Sequence, residues 1–222
     1  MKVVALAAHP DDELLGLGGT LARHADAGDE VVAVIASEGA SSRYAAGADS
    51  TLMASARAAA RVLGLRDVRF LGLPDQRLDE PPILEIIRPI EGALRELAPD
   101  IVYVHHWGDL NRDHRVVHEA TLVACRPVGD AYPRAVYCFE TPSSSEWAAP
   151  DPQSCFAPNR FVDVTATIER KLEAMRCYET ELRPAPHPRS IDALRTRAAY
   201  WGQTVGLAFA EPFVTLREVV CS

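Results

Sequence analysis

The sequence predicts an α/β protein built on a mostly parallel sheet, and two observations carry that expectation. Short β-branched and apolar runs alternate with longer segments of helical periodicity through the first half of the chain. Strands spaced by helices in this way imply right-handed crossover connections, which lay successive strands parallel.

Residues 2–7 form an apolar, β-branched run read as a buried first strand. Residues 14–27 carry helical periodicity and stop at Gly28-Asp29. Residues 30–36 (Glu-Val-Val-Ala-Val-Ile-Ala) read as a second buried strand. Residues 50–63, rich in Ala and Arg, read as a helix with Gly64 as its natural C-cap. A short strand at 68–71, a helix at 83–97 closed by Pro99, a fourth strand at 101–105 and a helix at 113–125 complete the alternation. The second half is less regular. Residues 135–140, 160–164 and 212–220 are strand-like, 168–182 and 191–201 are helical, and 141–159 read as a long loop. The Pro-Ala-Pro-His-Pro segment 184–188 is incompatible with a helix. No repeat, low-complexity tract or domain boundary interrupts the chain, so residues 1–222 are expected to form one domain.

Composition narrows the function classes. A formal net charge of −8 argues against a general nucleic-acid binder, which needs basic surface to replace phosphate counterions. No apolar run approaches the ~18 residues of a membrane span. The apolar N-terminus is too short for a signal peptide and runs directly into Pro10-Asp11-Asp12-Glu13. The five cysteines are odd in number and scattered without a CxxC pair, which fits small buried residues in a reducing cytoplasm.

In parallel sheets ligands bind outside the carboxyl ends of the strands. Two predicted strand ends carry metal-ligand chemistry: His9-Pro10-Asp11-Asp12-Glu13 after the first strand, and the run from His105 to His114 after the fourth. Zinc takes imidazole nitrogen and carboxylate oxygen, and catalytic sites keep one position for water. His9 and Asp12, three apart across a strand-to-helix turn, can converge on one point, and the facing loop would supply a third ligand. Asp11 and Asp12, as neighbours on a tight turn, point in different directions. One can bind metal while the other stands beside the activated water. The bland alternative is a turn whose Asp caps a helix. A second cluster at the right strand end weighs against it.

These residues resemble the PIG-L/LmbE-like family of zinc-dependent N-deacetylases. Its AHPDDE signature stands here as Ala8-His9-Pro10-Asp11-Asp12-Glu13, followed by Leu14-Leu15-Gly16-Leu17-Gly18-Gly19, and its (H/N)xDH signature as Asn111-Arg112-Asp113-His114. Ala210-Glu211-Pro212-Phe213 adds a further likeness near the C-terminus. The resemblance implies a Rossmann-like sheet with helices on both faces. It also implies Zn2+ held by His9, Asp12 and His114, with Asp11 as general base on the metal-bound water. The reaction implied removes an acetyl or other acyl group from the nitrogen of an N-acetylglucosamine-type sugar or conjugate. Carboxylate–imidazole sites also accept other divalent ions. Asn111 stands where many relatives carry a histidine; it donates a hydrogen bond but transfers no proton at neutral pH.

Other residues are assigned supporting or substrate-contact roles. Arg43, after the second strand, is a candidate for a phosphate or carboxylate. His106, Asn111 and Asp113 belong to the fourth-strand cluster, and Asp113 is a candidate to orient a neighbouring side chain. His187 lies in a Pro-rich, basic loop that could cover the site. The glycines at 16, 18 and 19 do not form GxGxxG and are read as close helix–sheet packing. The expected partner is a small amino-sugar conjugate, and a homo-oligomer is left open. The competing functions are a metal- or sugar-binding module without catalysis and an amidase acting on a non-sugar amide.

Overall fold

The computed structural model describes residues 1–37, 48–129 and 132–220. Seven strands form one sheet: β1 (Lys2–Ala7), β2 (Glu30–Ser37), β3 (Asp67–Leu73), β4 (Ile101–His105), β5 (Ala135–Phe139), β6 (Arg160–Asp163) and β7 (Ala210–Glu218). Among the described residues six α-helices accompany them, α1 (Asp12–Asp26), α2 (Ala48–Leu63), α3 (Ile83–Leu97), α4 (Arg112–Ala124), α5 (Ile168–Arg176) and α6 (Ile191–Thr204), with a short 3-10 helix at Ser145–Trp147. The sheet order is β3-β2-β1-β4-β5-β7-β6. The first five strands are mutually parallel, whereas β7 runs antiparallel to both β5 and β6. The α/β class and mostly parallel sheet expected from the alternation are therefore observed.

Burial explains the strand sequences. β1, β2 and β4 are covered on both faces, so they read as continuous apolar runs rather than alternating ones. One face packs Val3, Ala5, Tyr103, Tyr137 and Phe213 against α1, α2, α5 and α6. The other packs Val4, Leu6, Val102 and Val104 against the apolar stripe Ile86, Ile90, Ala93 and Leu97 of α3 and against Val117 and Ala120 of α4. Among the described residues no helix is long and apolar enough to cross a membrane.

The chain builds β1, β2 and β3 outward in one direction and then returns to place β4 on the other side of β1. The crevice between the carboxyl ends of β1 and β4 is the topological switch point, where open α/β sheets bind ligands. Both metal-ligand segments of the sequence emerge there.

Helix α1 is kinked behind this crevice, with Leu17 at φ −146° and ψ 18°. The kink frees backbone groups that must find other partners. Glu211 of β7 accepts from the amides of Gly19 (3.0 Å) and Thr20 (2.6 Å). Lys171 of α5 donates to the Leu15 carbonyl at 3.0 Å and pairs with Glu211 at 2.6 Å. The Ala210-Glu211-Pro212-Phe213 segment thus ties the C-terminal strand to the first helix.

Several boundaries shift by a few residues from expectation, and two of the shifts have a clear physical cause. The helix expected over 168–182 ends at Arg176, because the chain turns to bury Tyr178 and Glu181 toward the crevice. The last strand begins at Ala210 rather than 212, where β6 pairs with it from Asp163↔Ala210 onward.

Gly16 fits the close-packing reading. A Cβ there would overlap the Phe139 ring and lie 2.7 Å from the Glu140 carbonyl oxygen. Gly16→Ala is accordingly expected to lower unfolding free energy by about 1–3 kcal/mol, the usual range for overpacking. Urea unfolding measures this, and a variant as stable as the parent would mean that α1 and β5 are not held at this separation.

Candidate metal centre and active-site pocket

β1 ends at Ala7, and the chain turns at once into α1. Asp11 occupies the N-cap position with φ 103° and ψ −27°, a left-handed conformation unusual for a residue with a Cβ, and its side chain makes no cap hydrogen bond. The helix-capping alternative is therefore not what this carboxylate does. The turn is held by its own neighbours: Asp12 Oδ2 accepts from the His9 amide at 2.9 Å, and Glu13 Oε2 accepts from the Asp11 amide at 3.1 Å. Tyr178 donates its hydroxyl to Glu13 Oε1 at 2.7 Å. Burial raises the Glu13 carboxyl to about 7, with the Tyr178 bond opposing the shift.

Opposite this turn, α4 begins with Asn111 as its N-cap, whose side chain accepts from the Asp113 amide at 2.9 Å. This presents His114 from the first turn of α4 toward β1. His9 Nδ1 lies 3.2 Å from His114 Nε2, and Asp12 Oδ2 lies 3.3 Å from each of these nitrogens. The three residues are buried, with ligand atoms all within 4.8 Å of one another.

The far nitrogen of each histidine has a carboxylate oxygen within ion-pair distance, although the His114 Nδ1 contact lacks hydrogen-bond geometry. His9 Nε2 stands 3.0 Å from Asp113 Oδ2 and 3.4 Å from Asp75 Oδ1. His114 Nδ1 stands 3.0 Å from Asp109 Oδ1. Such contacts fix ring orientation and leave the inner nitrogens facing the shared centre. Asp113 therefore orients His9 across the crevice, while Asp109 serves His114. Asp109 is anchored in turn by the hydroxyls of Ser144 and Ser145, the latter at 2.6 Å. Against the cost of its burial, His114 and the two serines hold its carboxyl at about 2.

The centre suits a cation. Despite burial, Asp12 and Asp109 push the His114 imidazole up to about 10, which expresses a local field that favours positive charge. Asp12 Oδ1 is buried with no hydrogen-bond partner. Two imidazole nitrogens and a carboxylate, with one orphaned oxygen, match the donor set of a divalent metal such as zinc.

His105, although close, has another task. Its Nε2 accepts from the Ala8 amide at 2.9 Å and its Nδ1 meets Thr141 Oγ1 at 3.0 Å. Its ring stacks on His114 with centroids 3.9 Å apart. Burial, with His114 beside it, brings its pKa down to about 4.

Asp11 is not one of the metal-ligand group and enters a separate ion pair. Arg189 Nη1 donates to Asp11 Oδ2 at 2.7 Å and to Glu181 Oε2 at 3.0 Å, while Arg189 Nε donates to Ser143 Oγ at 2.7 Å. Burial raises the Asp11 carboxyl well above the usual range; Arg189 opposes this, and the adjoining carboxylates Asp12, Glu181 and Glu13 add to it.

A pocket of about 390 Å3 opens over these groups. It is lined by His9, Gln76, Asn111 and His114 together with Ser143, Ser144, Trp147, Arg183, His187 and Arg189. Asn111 Nδ2 donates to Gln76 Oε1 at 3.3 Å. Larger grooves, of about 580 and 530 Å3, lie along β3 and at the opposite ends of β4 and β5, and neither contains a residue of the metal-ligand group.

The structure thus gathers His9, Asp11, Asp12, Asn111, Asp113, His114 and His187 around one crevice. His106 is not brought there: it accepts from the Gly108 amide at 3.1 Å and packs against Trp107 and Phe156. The expected site role of His106 finds no contact, because strand alternation turns it to the opposite face from His105. His118 bonds no metal-ligand residue among the described ones; its Nδ1 bonds the His105 carbonyl at 2.8 Å. Arg43 lies outside the described residues. The residues sequence reasoning missed are Arg189, Glu181, Gln76, Asp75, Ser143 and Ser144. They come from connections after β3, β5 and α5, whose composition carries no metal or catalytic motif.

With this geometry in view, the likeness to known proteins is specific. Residues 4–125 match the PIG-L family model, described as GlcNAc-PI de-N-acetylase. The chain is 32% identical over 158 residues to the uncharacterised deacetylase YaiS of Escherichia coli K12, covering 68% of this chain and 78% of that protein. It is 29% identical over 226 residues to diacetylchitobiose deacetylase of Thermococcus kodakarensis, covering 95% and 81%. Among solved structures, the conserved protein TT1542 from Thermus thermophilus superposes with a TM-score of 0.80 at 26% identity, covering 99% of this chain and 96% of that one. The chain belongs to the PIG-L family of deacetylases, as the paired motifs implied.

The hold on the Asp11 turn can be tested without any substrate. Tyr178→Phe removes the hydroxyl that satisfies buried Glu13, and an expected loss of about 1–3 kcal/mol follows from leaving that acceptor unpaired. Chemical denaturation reads the loss. A neutral substitution would mean that Glu13 does not depend on Tyr178.

Proposed function

We propose that this member of the PIG-L family hydrolyses the amide of an N-acetylglucosamine-type sugar or conjugate, releasing the free amine and a carboxylate. His9, Asp12 and His114 would hold a divalent metal, zinc being the first candidate, and Asp11 would act as general base. One observation carries the reading most directly. A buried three-residue metal-ligand group is flanked by an additional buried carboxylate, Asp11, which is not needed to bind an ion. The relatives named as deacetylases, one of them acting on diacetylchitobiose, support the substrate class.

A bound divalent metal would supply Lewis-acid activation of water and of the acyl oxygen. The chain's own residues supply the rest. Asp11 takes a proton as the water oxygen bonds to the acyl carbon. It can return that proton to the nitrogen as the C–N bond breaks, so one carboxyl serves both steps. This dual use answers the absence of a proton-transferring side chain at Asn111. Arg189 holds the Asp11 carboxylate in one orientation, and Glu13 with Tyr178 holds its backbone. Asn111 and Gln76 offer amide groups to the pocket, and Ser143 and Ser144 offer hydroxyls, all suited to polar groups of a sugar. Trp147, 53% exposed at the pocket edge, offers an aromatic face.

Metal-loaded protein assayed for primary-amine release against N-acetylglucosamine and N,N′-diacetylchitobiose tests the reading. Asp11→Asn is expected to keep its metal and lose about 10²–10⁴-fold in turnover, the usual contribution of a general base. His114→Ala is expected to lose metal as well as activity. Unchanged turnover in Asp11→Asn would overturn the assignment of the base, and full metal content in His114→Ala would overturn the ligand set.

A further inference from the structure

The rim of the pocket has an unbalanced charge. Its described lining contains Arg183, His187 and Arg189 and no carboxylate, in a chain whose formal net charge is −8. The carboxylates nearby are already engaged. Asp11 and Glu181 both face Arg189, and Glu146 accepts from the amides of Ser143 and Ser144 and pairs with Arg197 at 3.4 Å. Arg183 differs from Arg189. Its Nη1 donates to the backbone carbonyls of Thr180 (2.6 Å) and Leu182 (2.9 Å), and among the described residues no carboxylate lies within ion-pair distance of it. The backbone contacts fix the guanidinium at the pocket edge and leave its charge uncompensated.

His187 stands beside it in the same loop. Its Nδ1 accepts from the Arg189 amide at 3.1 Å, so in the neutral ring the proton is on Nε2, a donor. Burial, then Arg189 and Arg183, hold this imidazole below the usual histidine range. Trp147 meets the His187 ring edge-on, with centroids 5.8 Å apart. A cationic fork, an N–H donor and an exposed indole therefore share one rim of the pocket that holds the metal-ligand group.

We infer that Arg183, with His187 and Trp147, forms a subsite for an anionic substituent, so that the substrate is an N-acylated sugar bearing a phosphate, sulfate or carboxylate. The inference rests on the amide-hydrolase reading of the pocket and adds the charge of the substrate to it. A guanidinium fork matches such oxyanions geometrically as well as electrically.

Titration calorimetry of the metal-loaded protein with N-acetylglucosamine 6-phosphate and with N-acetylglucosamine tests it. The phosphorylated sugar is expected to bind at least about tenfold more tightly, the scale of one charge-assisted contact. In Arg183→Ala the preference is expected to fall to about twofold or less, while Arg183→Lys, which keeps the charge, retains part of it. The preference is also expected to shrink with rising salt. Arg183 is exposed, so its replacement leaves the core intact. Equal affinity for the two sugars, or binding of neither, overturns the inference. So does a preference undiminished in Arg183→Ala, which would place the phosphate elsewhere in the pocket. A preference that depends on Arg183 in a protein releasing no amine from either sugar supports the anion subsite and overturns the amide-hydrolase reading.

Discussion

Three consecutive carboxyl groups, Asp11, Asp12 and Glu13, are buried side by side where β1 meets α1. Burying one unpaired carboxylate is costly, and burying three in sequence is prohibitive unless each is answered separately. The fold gives each a different answer. Glu13 receives a hydroxyl and a backbone amide, and its pKa rises toward neutrality. Asp11 receives the guanidinium of Arg189. Asp12 faces imidazoles and retains an oxygen without a partner, which leaves room for a cation to complete the balance.

These answers come from distant parts of the chain, and that explains the architecture of the C-terminal half. Tyr178 and Glu181 reach the turn because α5 stops at Arg176. Arg189 reaches it from the segment that leads into α6, whose own start is capped by Ser190. Helix α5 is itself held to α1 by the buried Lys171–Glu211 pair and by Thr167 bonding the Gly19 carbonyl at 2.8 Å. Helix α6 is fixed to the end of β5 through Arg197, bonded to both oxygens of Glu140 at 2.7 and 2.6 Å. The antiparallel strand β7 thus extends the sheet and also locks the helices that deliver the compensating groups.

This division marks how far the sequence could be read. His9 and Asp12 lie three apart, and Asn111 to His114 form one short run, so their grouping needed only the rule that ligands gather at strand ends. The fold class followed from periodicity that burial on both faces imposes. The pairings across the crevice were not legible. Asp113 lies next to His114 in sequence yet orients His9, because the first turn of α4 points the two side chains in different directions. Arg189 sits in a Pro-rich, basic segment where no periodic or spacing signal sets it apart from Arg183. His106 shares a dipeptide with His105, and only the strand pleat decides which of them faces the crevice.

The same charge logic bears on the proposed catalysis. The proposed ion site would use His9, Asp12 and His114, and its two histidines face Asp113 and Asp109. Asp11 adds nothing to that site, yet it is retained in a left-handed conformation that costs on the order of 1–3 kcal/mol. It also requires its own counter-charge and a buried glutamate to hold its amide. Residues kept in strained, desolvated positions lower stability, and folds tolerate them where chemistry depends on the strain. The proposed general base is thus a buried carboxylate with a left-handed backbone and a counter-charge of its own. The proposed general-base role would use that arrangement, since Asp11 is tied to Arg189 and stays outside the group proposed to hold the ion.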